Sequence, residues 1–235
     1  MPYYGYGYYF DPTYILVIIG MVISLIASAK VKGTYAKYSR VRSRSGLTGA
    51  EAAERILRSA GLYEVRIEHI AGSLTDHYDP RSKVLRLSDS VYGSASVAAI
   101  GVAAHECGHA IQDDRSYAPL RIRNSLVPIA NIGTQAAWPI ILVGLVFASS
   151  SFLVNLGILL FSLGVLFQLV TLPVEFDASG RAIRILSDSG ILYEEEIKQT
   201  RKVLGAAAMT YVAAAAASIL SLLRLLILFG GRNRD

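Results

Sequence analysis

The sequence predicts a mainly α integral membrane protein, with about four transmembrane helices and a small α+β domain beside the bilayer. Three observations carry this reading. Of 235 residues, 53% are hydrophobic and the mean hydropathy is +0.42, higher than a soluble domain carries. The apolar residues gather into four runs, Tyr14 to Ala29, Leu126 to Ala148, Ser151 to Thr171 and Ala206 to Phe229. Two polar segments, 31–125 and 172–205, separate them and show the turn residues and periodicities of folded structure.

The first run has no charged residue and, extended by Phe10 to Thr13, just crosses a hydrocarbon core of roughly 30 Å. It makes residues 1–30 a membrane anchor, and the absence of a basic stretch ahead of it marks an uncleaved anchor over a removable signal peptide. The next two runs are separated by Ser149 and Ser150, so 126–171 reads as a tight transmembrane hairpin. The fourth, within 206–235, contains Arg224 near its end, where a long cationic side chain can snorkel to the interface.

Orientation follows from the Lys and Arg residues, which cluster just after the first span in "KVKGTYAKYSRVRSR". The positive-inside rule places that flank in the cytoplasm and the Lys- and Arg-free "MPYYGYGYYFDPTY" outside, with its Tyr rings at the membrane interface. Both polar segments then share the cytoplasmic side, although the tail "GGRNRD" ends outside against the same rule. The net charge of +5 is thus a membrane-flank signal, and no nucleic acid partner is expected. The single cysteine, Cys107, excludes an intrachain disulfide and suits a reducing compartment.

Within the first polar segment, "TGAEAAERILRSAGL" has Thr48 as N-cap, Glu51 to complete a capping box, and Gly61 as a stop. The runs "YEVRIEHIAG" and "KVLRLS" alternate like strands around the loop "SLTDHYDPR", which predicts a β-hairpin. From Ser94 to Gln112 small and apolar residues without proline predict one helix.

That helix carries "HECGH". Residues four apart share a helix face, so His105 and His109 can offer imidazoles to one ion. Glu106 lies roughly 100° around the helix, where a carboxylate suits a general base for a water activated by the metal. In a chain with only four His, chance occurrence of the pattern is on the order of 0.3%. A catalytic zinc takes three protein ligands and leaves a fourth position open. The extended motif with a third histidine is excluded, because Gln112 occupies its glycine position and Arg115 its last. The remaining His69 and His77 lie upstream, and Asp113 and Asp114 follow too closely along the helix. The best third ligand is Glu175 in "TLPVEFDASGRAIRIL", with Pro173 in the first turn of a helix that Thr171 could cap. Asp177 competes for the ligand role or orients an imidazole.

"HECGH" followed, after an apolar hairpin, by "VEFDASGRA" resembles the gluzincin arrangement of HtpX-type and CAAX prenyl membrane proteases. The small size, "SLTDHYDPR" ahead of the motif and "LPVEFDAS" after it resemble more closely the YugP-type neutral zinc metallopeptidases, over about Tyr14 to Leu228. The resemblance implies a zincin-like catalytic domain carrying the HExxH helix, in a multi-pass protein of a prokaryotic cell membrane. It implies Zn2+ on His105, His109 and Glu175, with Glu106 as base and protein or peptide substrates. Ser179 stands where the HtpX-type pattern has an aspartate, which leaves the supporting role open between Asp177 and Ser179.

His77, with Asp76, sits in the loop ahead of the metal helix and could steady an oxyanion; an ordinary exposed turn is the competing reading. "KVLRLS" is the expected sheet edge for pairing with a substrate strand. Cys107 points away from the metal and is expected to be packed, Asn131 and Gln135 to bond between helices, and "YEEEIKQTRKVL" to be a solvated helix.

The favoured function is a zinc endopeptidase acting at the cytoplasmic membrane surface. One rival places the chemistry inside the bilayer, against which the metal helix is a poor span. Another is a membrane scaffold or pore subunit with a structural or inactive zinc site. Oligomeric and membrane-protein partners are left open.

Overall fold

The computed structural model describes residues 11–146 and 151–230. The interfacial Tyr residues before Asp11, the turn at Ser149 and Ser150, and the end of the tail lie outside the described residues.

Helix α1 (Tyr14–Tyr38) is followed by α2 (Gly49–Ser59), then β1 (Arg66–Ile70), β2 (His77–Asp79) and β3 (Val84–Ser88). Helices α3 (Val97–Asp114), α4 (Ala118–Val146), α5 (Ser151–Asp188) and α6 (Glu194–Phe229) complete the chain. Among the described residues α1, α4, α5 and α6 are long and apolar enough to cross a membrane.

The expected capping box forms in full: Glu51 N–H donates to Thr48 Oγ1, and Thr48 N–H donates to the Glu51 carboxylate. Gly61 follows at φ +80°, a conformation that suits glycine and ends the helix. The β-hairpin expectation fails. The segment between the two alternating runs contributes β2, and the sheet order is β1-β3-β2. β3 runs parallel to β1 and antiparallel to β2. Short alternation shows which residues face the core, not the direction of the partner strand, and the long connection leaves room for the extra strand. "KVLRLS" is therefore the central strand, and β2 is an outer one.

Two further expectations give way. α5 runs unbroken through Thr171 and Pro173, so Thr171 is no cap; its hydroxyl donates to Phe167 O, 2.8 Å away. The second polar segment is the continuation of α5 plus the first turns of α6. Long packed helices tolerate the hydrogen bond that an internal proline removes. Asn131 and Gln135 are exposed on α4 and make no interhelical side-chain bond among the described residues. "YEEEIKQTRKVL" is solvated on one face only: Ile197, Thr200, Val203 and Leu204 are buried, as is Glu196, which accepts from the N–H groups of Arg44 and Tyr193.

The first polar segment packs around a core of α2, β3 and α3 side chains, including Ile56, Leu85, Leu87 and Ile100, which Leu186 of α5 and Leu204 of α6 complete. The membrane helices pack instead through small residues. A Cβ added at Gly20 would meet Ala217 at 3.0 Å, and one at Gly133 would meet the Leu160 carbonyl at 3.0 Å, so these backbones approach closely. Arg224 does more than snorkel: it bonds Asp11 at 2.9 Å and stacks on Tyr14 at 4.0 Å, joining α6 to the start of α1. α1 continues past its apolar run to dock on the polar domain, where Tyr35 Oη donates to Ser90 O at 2.9 Å.

Candidate metal centre

Ser96 caps α3, its Oγ accepting from Ala99 N–H at 3.2 Å, so the helix begins slightly later than its composition suggests. One flank of α3 is built to admit other backbones. A Cβ at Gly108 would lie 2.7 Å from Ala178 O on α5, and one at Gly101 would lie 2.7 Å from Thr200 Cγ2 on α6. These two glycines bring the membrane helices against the helix that carries the histidines.

Gly108 sits beside His109, and the close approach delivers Glu175 to the histidine pair. Glu175 Oε2 lies 3.3 Å from His105 Nε2 and 3.7 Å from His109 Nε2. The three donor atoms fall within 4.8 Å of one another. Ligands about 2.1 Å from a tetrahedral zinc stand roughly 3.4 Å apart, which the two Glu175 edges approach, whereas the spread of up to 4.8 Å requires the imidazoles to close in on an ion. The carboxylate is buried, and Oε2 has no hydrogen-bond partner of its own. A buried, unsatisfied anionic oxygen facing two imidazole nitrogens fits a cation between them.

The tautomers agree. Gln112 Nε2 donates to Val174 O and to Asp177 Oδ2, both at 2.8 Å, which turns its Oε1 toward His109 Nδ1 at 2.9 Å. An amide oxygen only accepts, so the proton sits on Nδ1 and the Nε2 lone pair faces Glu175. His105 Nδ1 is 3.1 Å from the Ser179 hydroxyl, which is able to accept the corresponding proton. Both Asp177 and Ser179 adjoin the cluster: Ser179 touches His105, whereas Asp177 reaches His109 through Gln112. Asp177 also accepts from Arg181 Nε.

Glu106 is buried next to the cluster, and its Oε2 accepts from the Tyr78 backbone N–H of β2 at 3.1 Å. Tyr78 Oη donates to Asp113 at 3.0 Å, and burial with that acceptor pushes the phenol pKa up. Asp113 also receives Lys83 Nζ at 2.7 Å, so it ties β2 and the turn before β3 to α3 and is not part of the His105–His109–Glu175 cluster. Cys107 is fully buried against Ala53 on α2, and burial raises its thiol pKa.

Two cavities meet at the cluster, sharing Asp76, His105, Glu106, Glu175 and Tyr211. One, about 150 Å³, is also walled by His77, Tyr78, His109, Arg123 and Asn124. The other, about 180 Å³, is mainly apolar, with Val31, Leu74, Val102 and Leu204. His77 thus reaches the cavity wall, but its ring contacts Thr75 O at 2.9 Å and Arg86 Nη1 at 3.4 Å. Asp76 accepts from Ser88 N–H and Oγ and braces the loop. A larger groove of about 790 Å³ between α2 and β1 has no histidine on its walls, so chemistry and not size selects the site.

Sequence reasoning missed Gln112 as a support, although a residue three positions after His109 is its neighbour on the helix. It also missed Arg123, whose Nη1 is 3.6 Å from Glu175 Oε1, and Tyr211, which walls both cavities. Neither lies in a recognisable motif.

The comparisons with known proteins accord with this geometry. Residues 13–230 match the model of a family described as "Putative neutral zinc metallopeptidase". A relative from Bacillus subtilis (strain 168), named "Putative membrane protease YugP", is 47% identical over 221 residues, covering 94% of this chain and 98% of its own. No solved structure matches the chain. The match spans all four apolar helices and the metal cluster, and the chain belongs to the neutral zinc metallopeptidase family of membrane proteins.

Proposed function

We propose that the protein is a membrane-embedded zinc metalloendopeptidase of the gluzincin type, with a zincin-like domain that holds the ion on His105, His109 and Glu175. The observation that carries this reading is the unsatisfied Glu175 Oε2 facing both Nε2 atoms, beside a buried Glu106. When bound, zinc supplies a Lewis acid that polarises the scissile carbonyl and makes water a competent nucleophile at neutral pH. Glu106 takes the proton from the attacking water and returns it to the leaving amine, its carboxylate oriented by the Tyr78 N–H.

Substrate enters along β2. This is an outer strand, and the Tyr78 N–H points off its free side toward Glu106. Because Glu106 holds the Tyr78 N–H, an extended peptide laid there pairs with the strand through the Tyr78 carbonyl, a main-chain contact that does not read its sequence. The apolar cavity, walled partly by α1 and α6, receives a side chain from a membrane or membrane-near protein. The Lys- and Arg-rich flank after the first span supports a site on the cytoplasmic face of a cell membrane.

Replacing Glu106 by Gln in the purified chain is expected to lower casein cleavage by about a hundredfold or more with zinc retained. Undiminished cleavage by that variant would overturn the mechanism.

A further inference from the structure

On the side of the molecule that carries the metal cluster, α1 and α6 enclose a shallow groove of about 610 Å³. Its walls are Lys30, Gly33, Thr34, Lys37 and Tyr38 of α1 with Lys202, Gly205 and Ala206 of α6. The α1 residues recur at helical spacing, so the groove is a face and not a scatter. Lys30 is the first charged residue after the apolar run of α1, and Lys202 comes shortly before the apolar run of α6. The groove therefore lies at the level where both helices leave the hydrocarbon.

The three lysines are exposed, and none has a carboxylate at ion-pair distance among the described residues. Thr34 adds a hydroxyl donor, and buried Tyr38 and Ala206 form the floor. A Cβ added at Gly33 or Gly205 would meet nothing within 4 Å, so the glycines leave open space between the cations. One helical turn toward the membrane, the same faces carry exposed Ile26 and Met209, 62% and 45% accessible. Lys37 lies over the Tyr38 ring at 5.4 Å, and three cations without a carboxylate partner above an apolar strip match an anionic head with an attached acyl chain. Free phosphate would use the donors and leave the strip without a role.

We infer that this groove is a binding site for the phosphate headgroup of an anionic membrane lipid, with its acyl chain lying on Ile26 and Met209. Basic clefts between helices at the membrane surface are suited to such headgroups.

The test uses the full chain in detergent micelles, titrated with phosphatidylglycerol or phosphatidylcholine, with retained lipid counted by native mass spectrometry. The wild type should retain phosphatidylglycerol in preference to phosphatidylcholine. Lys30→Ala with Lys202→Ala should weaken retention on the order of tenfold, while the charge-matched pair Lys32→Ala with Arg201→Ala should change it by less than about twofold. Gly33→Leu with Gly205→Leu fills the groove without altering charge and should also weaken retention. Equal loss in both charge pairs would reduce the effect to a diffuse basic surface and overturn the site. So would unchanged retention in the glycine pair, equal retention of the two lipids, or displacement of the lipid by inorganic phosphate.

Discussion

The two histidines of α3 stand one turn apart, yet they are steadied in different ways. His105 meets a single rotatable hydroxyl, Ser179, at 3.1 Å. His109 meets the Gln112 amide, which is itself fixed by Val174 O and Asp177, and Asp177 in turn holds Arg181. One imidazole is oriented by one contact and the other by a chain that spans two helices. Both supports end on α5, the helix that supplies Glu175. The candidate ligands and the groups that contact them therefore depend on one helix contact, and the histidines differ in how much of it each one uses.

The largest effect should come from breaking both supports at once. Gly108→Ala drives a methyl group toward Ala178 O, parts α3 from α5, and should cost about 1–3 kcal/mol of stability. Zinc retention should fall together with the melting temperature; a variant that melts and binds like wild type would show that the close approach is unnecessary. Next is Gln112→Ala, which frees the His109 ring and should weaken zinc about 10–100-fold, read by competition with a chelator. Ser179→Ala should cost less than about tenfold, since a water can replace one hydroxyl at a partly open ring. Equal losses in these two variants would erase the asymmetry. The smallest effect should be at Cys107, whose buried thiol stays protonated and should resist iodoacetamide in the folded protein at neutral pH.

Much of this architecture was legible in the sequence. The apolar runs fixed the four long helices because hydropathy over about 20 residues is a strong signal. Thr48 and Glu51 announced α2 through a local bond pattern, and "HECGH" announced a shared helix face. Strand direction was not legible, since "YEVRIEHIAG" and "KVLRLS" bury the same faces whether parallel or antiparallel. Nor was the continuity of α5, because Pro173 reads locally as a helix start. Gly108 and Gly101 are absent side chains whose purpose appears only when α5 and α6 arrive. Arg123 and Tyr211 reach the cavities from distant membrane helices, beyond any local pattern.

In the proposed site Glu175, carried back by the apolar helices α4 and α5, completes what the two histidines begin. Zinc per chain, measured on wild type and Glu175→Ala purified in parallel, tests it most directly. Wild type should carry about one zinc per chain, as a three-ligand site holds, and the variant substoichiometric zinc with its helices still folded by circular dichroism. Equal zinc content in the two proteins would contradict it.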